Sequence, residues 1–232
     1  MPESPRTLVL FARAPVAGSV KTRLAVVLAP EGAARLYRAF LEDAARVYAV
    51  PAWTAVVYAD PDPDEASLAA IFKDPWRREA QSPGSLGSRL AAAFDAERSR
   101  GASVVLAVGS DHPALPRRAI QDLFEAVEGG DEVALIPAQD GGYCAIALAG
   151  RALPSTVFRD IPWSSERTLE VTVARARQAG LRVALREPAY DVDRPEDLRT
   201  LARDLARRNP DDDDYPRATA RALADFPVPL SP

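Results

Sequence analysis

Seven residues, Ser103-Val104-Val105-Leu106-Ala107-Val108-Gly109, run without a charge, and the segments 7–12, 54–59, 132–137 and 143–148 are similarly apolar. A strand that is apolar along its whole length has both faces buried. That happens when helices cover both sides of a mainly parallel sheet. The intervening segments supply such helices. Helical spacing predicts them over 22–50 (interrupted near Pro30, where a second helix starts), 66–72, 86–100, 117–129, 166–179 and 195–208. Within 86–100, Leu86, Leu90, Ala93, Phe94 and Glu97 form an apolar face with a polar edge. Glycines 129 and 180 stand where the fourth and fifth of these helices should stop. A further strand is expected over 181–187, a turn over 61–65 and a polar loop over 77–85. The expectation is an α/β, Rossmann-like three-layer sandwich with a mainly parallel central sheet. It forms one domain over residues 1–208, followed by an acidic, proline-rich tail over 209–232. That tail is either mobile or holds a short helix around 217–224.

Composition narrows the function. A net charge of -4 argues against a non-specific nucleic-acid binder. One cysteine, Cys144, excludes an intramolecular disulfide, and one histidine, His112, excludes a two-histidine zinc motif. No run approaches the ~18 apolar residues of a spanning helix. The N-terminus lacks the layout of a signal peptide, so a cytoplasmic location is expected.

In an open parallel sheet, ligands bind beyond the carboxyl ends of the strands. The loop after the first strand carries Arg13, Gly18, Lys21 and Arg23. Glycine permits close backbone approach, and guanidinium and ammonium groups suit phosphate oxygens. The string Gly18-Ser19-Val20-Lys21-Thr22 is not a Walker loop, because Val20 rather than glycine precedes Lys21. Cations at a helix start oppose its dipole, which makes most sense with an anion bound. After the third strand, Asp111 is placed either to hold Mg²⁺ or Mn²⁺ against a diphosphate or to cap the next helix. Asp191 and Asp193 sit at another strand end, would point the same way in an extended chain, and also read as a metal ligand or a helix cap. Asp140-Gly141-Gly142-Tyr143 is a turn over which a substrate could lie, or simply a hairpin signal. Trp163 and Glu166 could shape an acceptor pocket, although Ser164 or Ser165 is also a natural helix cap. His112 reads as a positioned loop residue rather than a base, and Cys144 as core.

The strings Phe-Ala-Arg-Ala-Pro-Val-Ala-Gly-Ser-Val-Lys-Thr-Arg-Leu, Gly-Ser-Asp-His-Pro-Ala-Leu, Gln-Asp-Gly-Gly-Tyr, Ile-Pro-Trp-Ser-Ser-Glu and Asp-Val-Asp-Arg-Pro-Glu-Asp-Leu occur in that order. Over roughly residues 7–205 they resemble the DUF2064 family, usually described as GT-A-fold glycosyltransferases of the nucleotide-diphospho-sugar transferase superfamily. The resemblance implies a GT-A domain with the nucleotide over the first half of the sheet. Gly18, Lys21 and Arg23 would line its phosphates and Asp111 would bind the divalent metal. The segment 81–89, with Gly87 and Arg89, would lie near the base. Three positions depart from the pattern: Ser85 for aspartate, His112 for a small residue or cysteine, and Ser164 for glycine.

The expected function is therefore transfer from a nucleotide-activated sugar with Mg²⁺ or Mn²⁺ on Asp111 and Asp193. Arg13, Gly18, Lys21, Arg23, Gly87 and Arg89 would hold the nucleotide. Asp140 would act as base. Gly141, Gly142, Tyr143, Trp163 and Glu166 would receive a small-molecule acceptor. The rivals are a nucleotidyltransferase joining an NTP to a phosphorylated small molecule, and a non-catalytic nucleotide-binding module.

Overall fold

The computed structural model describes residues 5–61 and 65–226. Residues 62–64 of the expected turn, and the ends of both termini, lie outside the described residues. Seven strands form one sheet: β1 (Arg6–Ala12), β2 (Thr54–Ala59), β3 (Arg77–Ala80), β4 (Val104–Gly109), β5 (Val133–Pro137), β6 (Tyr143–Ala149) and β7 (Val183–Leu185). Their spatial order is β3-β2-β1-β4-β6-β5-β7. Only β6 runs against its neighbours β4 and β5, and the other pairings are parallel. The sheet is thus mainly parallel, as the apolar strands predict.

Eight helices complete the described chain: α1 (Ala25–Val47), α2 (Glu65–Ile71), α3 (Leu86–Ser99), α4 (Arg117–Glu128), α5 (Pro154–Val157), α6 (Thr168–Gln178), α7 (Pro195–Leu205) and α8 (Arg217–Ala224). Strand alternation divides the core between the two faces. Leu8, Leu10, Val57 and Leu106 meet Leu36 and Phe40 of α1, Ile120 and Phe124 of α4, and Leu198 and Leu201 of α7. Val9, Val56, Val105 and Ala107 meet Leu90 and Phe94 of α3, Val157 of α5 and Val173 of α6. The strands β1, β2, β4, β5 and β6 are therefore covered on both faces.

Several expectations change. Residues 77–80 are not a loop but the parallel edge strand β3, paired with β2. Its sequence Arg-Arg-Glu-Ala hides it, because an edge strand with two half-exposed faces needs no apolar run. Glu97 is no polar edge: it is 1% exposed. Tyr58 Oη donates to it at 2.8 Å, and Arg100 Nη1 at 2.9 Å, with Arg77 also paired. A buried carboxylate is tolerable only with partners of this kind. The first helix begins at Ala25, three residues later than its spacing suggests, and it kinks at Ala29 (φ 56°) before Pro30. The helix around 217–224 is present and docks on α1, where buried Asp43 accepts from the backbone N–H groups of Ala218 (3.1 Å) and Thr219 (2.7 Å). That carboxylate satisfies two of the N–H groups a helix start leaves unpaired.

Candidate functional site

Strands β1, β2 and β4 end side by side at the same rim, and the segment 12–24 folds back across it. Gly18 takes φ +80°, a turn conformation that favours glycine, and its added Cβ would meet nothing. Lys21 also has positive φ, 48°. A bulky residue held there signals a constraint worth locating. Its side chain runs inward, only 4% exposed, over the ring of Tyr37 at 5.9 Å. Its ammonium meets Asp111 Oδ1 at 2.6 Å and stands 3.9 Å from Asp193 Oδ1. Arg23 Nη1 contacts Asp193 Oδ2 at 2.6 Å.

Neither of the two candidate metal ligands is a helix cap. Asp197 caps α7 instead, its Oδ2 accepting from the backbone N–H groups of Asp193 (3.0 Å) and Arg194 (2.7 Å). That leaves the Asp193 side chain to the site. At the other edge, Asp60 pairs with Arg13 at 3.0 Å and Arg89 at 3.5 Å. Arg89 also donates to Gln81 Oε1 (3.0 Å), while Gln81 Nε2 donates to the Tyr58 carbonyl (2.9 Å). Tyr37 Oη receives the Arg13 N–H (3.2 Å) and bonds Ser110 Oγ (2.8 Å). Burial, with the Asp111 charge adding, pushes the Tyr37 hydroxyl up to about 12. It stays neutral and acts as a pin. Arg13, Lys21, Arg23, Arg89, Asp111 and Asp193 all border one cleft of about 750 Å³.

A second cavity of about 340 Å³ adjoins it, sharing Phe11, Leu86, Gly109, Asp111 and Ser164 with the cleft. Its own lining includes Asp140, Gly142, Tyr143, Trp163, His112, Cys144 and Asp191. Asp140 Oδ1 accepts the Gly142 N–H at 2.8 Å, which fixes the turn. Burial raises the Asp191 carboxyl above its ordinary value, and the nearby Asp140 charge adds to this. Asp191 lines this cavity whereas Asp193 lines the cleft, so the two do not share one compartment as an extended chain suggests. Burial pushes the Cys144 thiol up to about 12, which makes it unreactive at neutral pH.

Four of the expected binding residues, Gly18, Gly87, Gly141 and Glu166, border neither space. Gly87 borders neither space: a Cβ there would meet Trp163 Nε1 at 2.8 Å and the Phe158 carbonyl at 2.9 Å. Gly141 and Glu166 do not line the second cavity. They lie backbone to backbone, and the Gly141 carbonyl accepts from the Leu169 N–H at 2.9 Å. Sequence reasoning also passed over Asp60 and Tyr37, and placed Gln81 only as part of the segment 81–89. Asp60 follows β2 directly, so the strand-end rule that singles out Asp111 applies to it too. Tyr37 lies mid-helix, and nothing local marks it.

Burial lowers the His112 pKa against the opposing pull of Asp111, while Nδ1–H donates to the Tyr190 carbonyl at 3.2 Å. A depressed histidine contributes stability above its ordinary value of 6.5 and loses it as pH falls through the folded value. Asp191, shifted upward, works in the opposite sense. The melting temperature of wild type is therefore expected to fall more steeply below about pH 6.5 than that of His112→Asn, a comparison that isolates the histidine. Parallel curves in a pH-resolved melt would contradict this.

The family described as "Uncharacterized protein conserved in bacteria (DUF2064)" matches residues 43–165, just over half of the chain. The chain belongs to that family. No curated protein matches this DUF2064 member in sequence. Among solved structures it is similar to a protein of Desulfovibrio desulfuricans G20, provisionally assigned as a nucleotide-diphospho-sugar transferase. The TM-score is 0.85 at 28% identity, over 96% of this chain and 98% of that one. A cytidylyltransferase from Leptospira borgpetersenii serovar Hardjo-bovis (strain JB197) aligns with TM-score 0.61 at 13% identity, covering 96% and 93%. CMP:2-keto-3-deoxy-manno-octonic acid synthetase, solved with CTP, aligns with 0.52 at 14%, covering 85% and 97%. At those identities the last two show the fold alone. Among the described residues no helix is long and apolar enough to cross a membrane.

Proposed function

We propose that this DUF2064 protein is a transferase that takes a sugar from a nucleoside diphosphate and passes it to a small acceptor. The observation that carries the reading is the position of Asp111. It stands between a cleft bearing Arg13, Lys21, Arg23 and Arg89 and a cavity bearing Asp140. Four cations on one side suit a diphosphate, and a carboxylate on the other suits a proton acceptor. The likeness to the Desulfovibrio protein, spanning nearly the whole of both chains, supports the same substrate class.

In this reaction the acceptor oxygen or nitrogen bonds to the anomeric carbon of the sugar. The bond from that carbon to the phosphate oxygen breaks, and its electron pair leaves on the nucleoside diphosphate. The acceptor's proton passes to the Asp140 carboxylate. Lys21 and Arg23 face the charge that develops on the departing diphosphate, where fixed cations lower the barrier most. Tyr37 and Asp60 orient Lys21, Arg13 and Arg89.

The residues fit a divalent cation. Asp111 and Asp193 offer hard oxygen donors, and among the described residues no group of three or more His, Cys, Asp or Glu could hold a metal. One or two carboxylates, with substrate phosphates and water completing the shell, is the usual manner of Mg²⁺ binding. Bound there, Mg²⁺ or Mn²⁺ would supply positive charge to the diphosphate alongside Lys21 and Arg23.

The test is to incubate the protein with individual NDP-sugars and NTPs and to measure NDP and pyrophosphate. Release of NDP from an NDP-sugar, abolished by EDTA and reduced ~100-fold or more in Asp111→Asn, is expected. Pyrophosphate release from an NTP would favour nucleotidyl transfer instead. Binding with no turnover of either kind would mark a nucleotide-binding module.

A further inference from the structure

The two compartments differ in charge. All four cationic side chains of the site border the cleft: Arg13, Lys21, Arg23 and Arg89. The 340 Å³ cavity is bordered by three carboxylates, Asp111, Asp140 and Asp191, and by no lysine or arginine among the described residues. Its one histidine, His112, is tied through Nδ1 to the Tyr190 carbonyl at 3.2 Å. Asp111 has its ammonium partner, Lys21. No lysine or arginine lines the cavity beside Asp140 and Asp191 among the described residues. Aromatic rings of Phe11, Tyr143 and Trp163 complete the walls, with Tyr143 and Trp163 edge to face at 6.1 Å. The volume suits a small ligand.

A phosphate or carboxylate entering this cavity would meet the Asp140 and Asp191 carboxylates with no lysine or arginine lining the wall to offset them, a juxtaposition that disfavours binding. Hydroxyl and amino groups would find acceptors for their protons, and aromatic walls suit the C–H faces of a polyol. We infer that the acceptor of this transferase is a non-anionic small molecule bearing hydroxyl or amino groups, with no phosphate or carboxylate on the part that enters the cavity. The inference rests on the transfer reaction proposed above and specifies its second substrate. It also argues against joining the nucleotide to a phosphorylated partner, since such a partner needs a second anion site that the cavity lacks.

The experiment uses the full chain, the NDP-sugar donor it turns over, and the metal. A bacterial small-molecule extract, freed of nucleotides, is split on an anion exchanger into flow-through and retained fractions, and each is assayed for stimulated NDP release. The flow-through is expected to stimulate release about tenfold or more over the retained fraction. In Asp191→Lys that stimulation is expected to fall at least about tenfold, while stabilisation by the nucleotide alone stays unchanged and reports a folded protein. Asp191→Asn, the milder variant, is expected to lose several-fold and serves if the lysine does not fold. Stimulation confined to the retained fraction, stimulation by neither, or full activity in both Asp191 variants would overturn the inference. Failure of the protein to bind or turn over any nucleotide would instead remove the transfer reaction itself, so the two failures are separable.

Discussion

Lys21→Ala is expected to lower kcat/KM by about 100- to 1000-fold, the loss typical of removing one preorganised donor from a site of developing negative charge. The expectation follows from the placement of the ammonium. It is almost wholly enclosed, lies 2.6 Å from Asp111 and 3.9 Å from Asp193, and sits on a residue with φ 48°. Nothing in local sequence preference favours lysine in that conformation. The stability cost should be far smaller. Asp111 keeps 48% of its side-chain surface and Asp193 keeps its contact with Arg23, so neither carboxylate is stranded in a dry interior. With its Asp111 end half open to solvent, the pair should cost on the order of 1 kcal/mol to lose. The signature is a large kinetic loss beside a small change in melting temperature. Lys21→Gly separates the two roles further: it removes the charge and relaxes the backbone, so it should be at least as stable as Lys21→Ala and equally impaired. A variant that keeps kcat/KM within about threefold would show that Lys21 serves only to neutralise its neighbours.

The second large effect is on stability. Gly141→Ala would place its Cβ 2.2 Å from the Glu166 carbonyl oxygen and 2.6 Å from the Glu166 Cα, at φ +86°. Backbone atoms cannot swing aside as a side chain can. The turn would have to separate from the 165–169 segment and break the Leu169 N–H bond to the Gly141 carbonyl. Overpacking costs about 1–3 kcal/mol and left-handed backbone at a non-glycine residue another 1–2. The sum corresponds to a fall of roughly 5–15 °C in melting temperature for a chain of this size. Gly142→Ala is the control, since its Cβ would meet only the Asp140 carboxylate, at 3.0 Å. If the two variants melt together in a calorimetric scan, the packing of the turn is not as described.

The contrast between these two glycines shows what the sequence could and could not disclose. Asp140-Gly141-Gly142-Tyr143 reads as an acid and a permissive turn, and the acid does border the cavity. Which glycine faces ligand and which faces backbone depends on the loop before α6, far along the chain. Gly87 is the same case, its space filled by Trp163 and Phe158. Apolar runs on β1, β2, β4, β5 and β6 disclosed the buried strands because a doubly covered strand has no room for charge. Edge strand β3 escaped notice because its environment asks for no such pattern.

Among the residues that border the two spaces, Arg13, Lys21, Asp111 and Asp140 lie in the loops after buried strands, where the strand-end rule looks first. Asp60, directly after β2, satisfies the same rule but is followed by the proline-rich string Pro61-Asp62-Pro63, which has the composition of a plain turn. Tyr37 and Gln81 act through long-range contacts to Ser110 and to the carbonyl of Tyr58. No spacing within one segment encodes such contacts.

The proposed function requires the cleft at the ends of β1 and β4 to bind a nucleoside diphosphate through Lys21 and Asp111. Its most direct test is a melting-temperature titration of wild type and Lys21→Ala with UDP, GDP, CDP, ADP and TDP, with and without Mn²⁺. At least one nucleotide should raise the wild-type melting temperature in a concentration-dependent way, as a ligand specific for the folded form must. Mn²⁺ should enlarge the shift, and Lys21→Ala should abolish most of it. No shift with any nucleotide, or an undiminished shift in Lys21→Ala, would contradict the account.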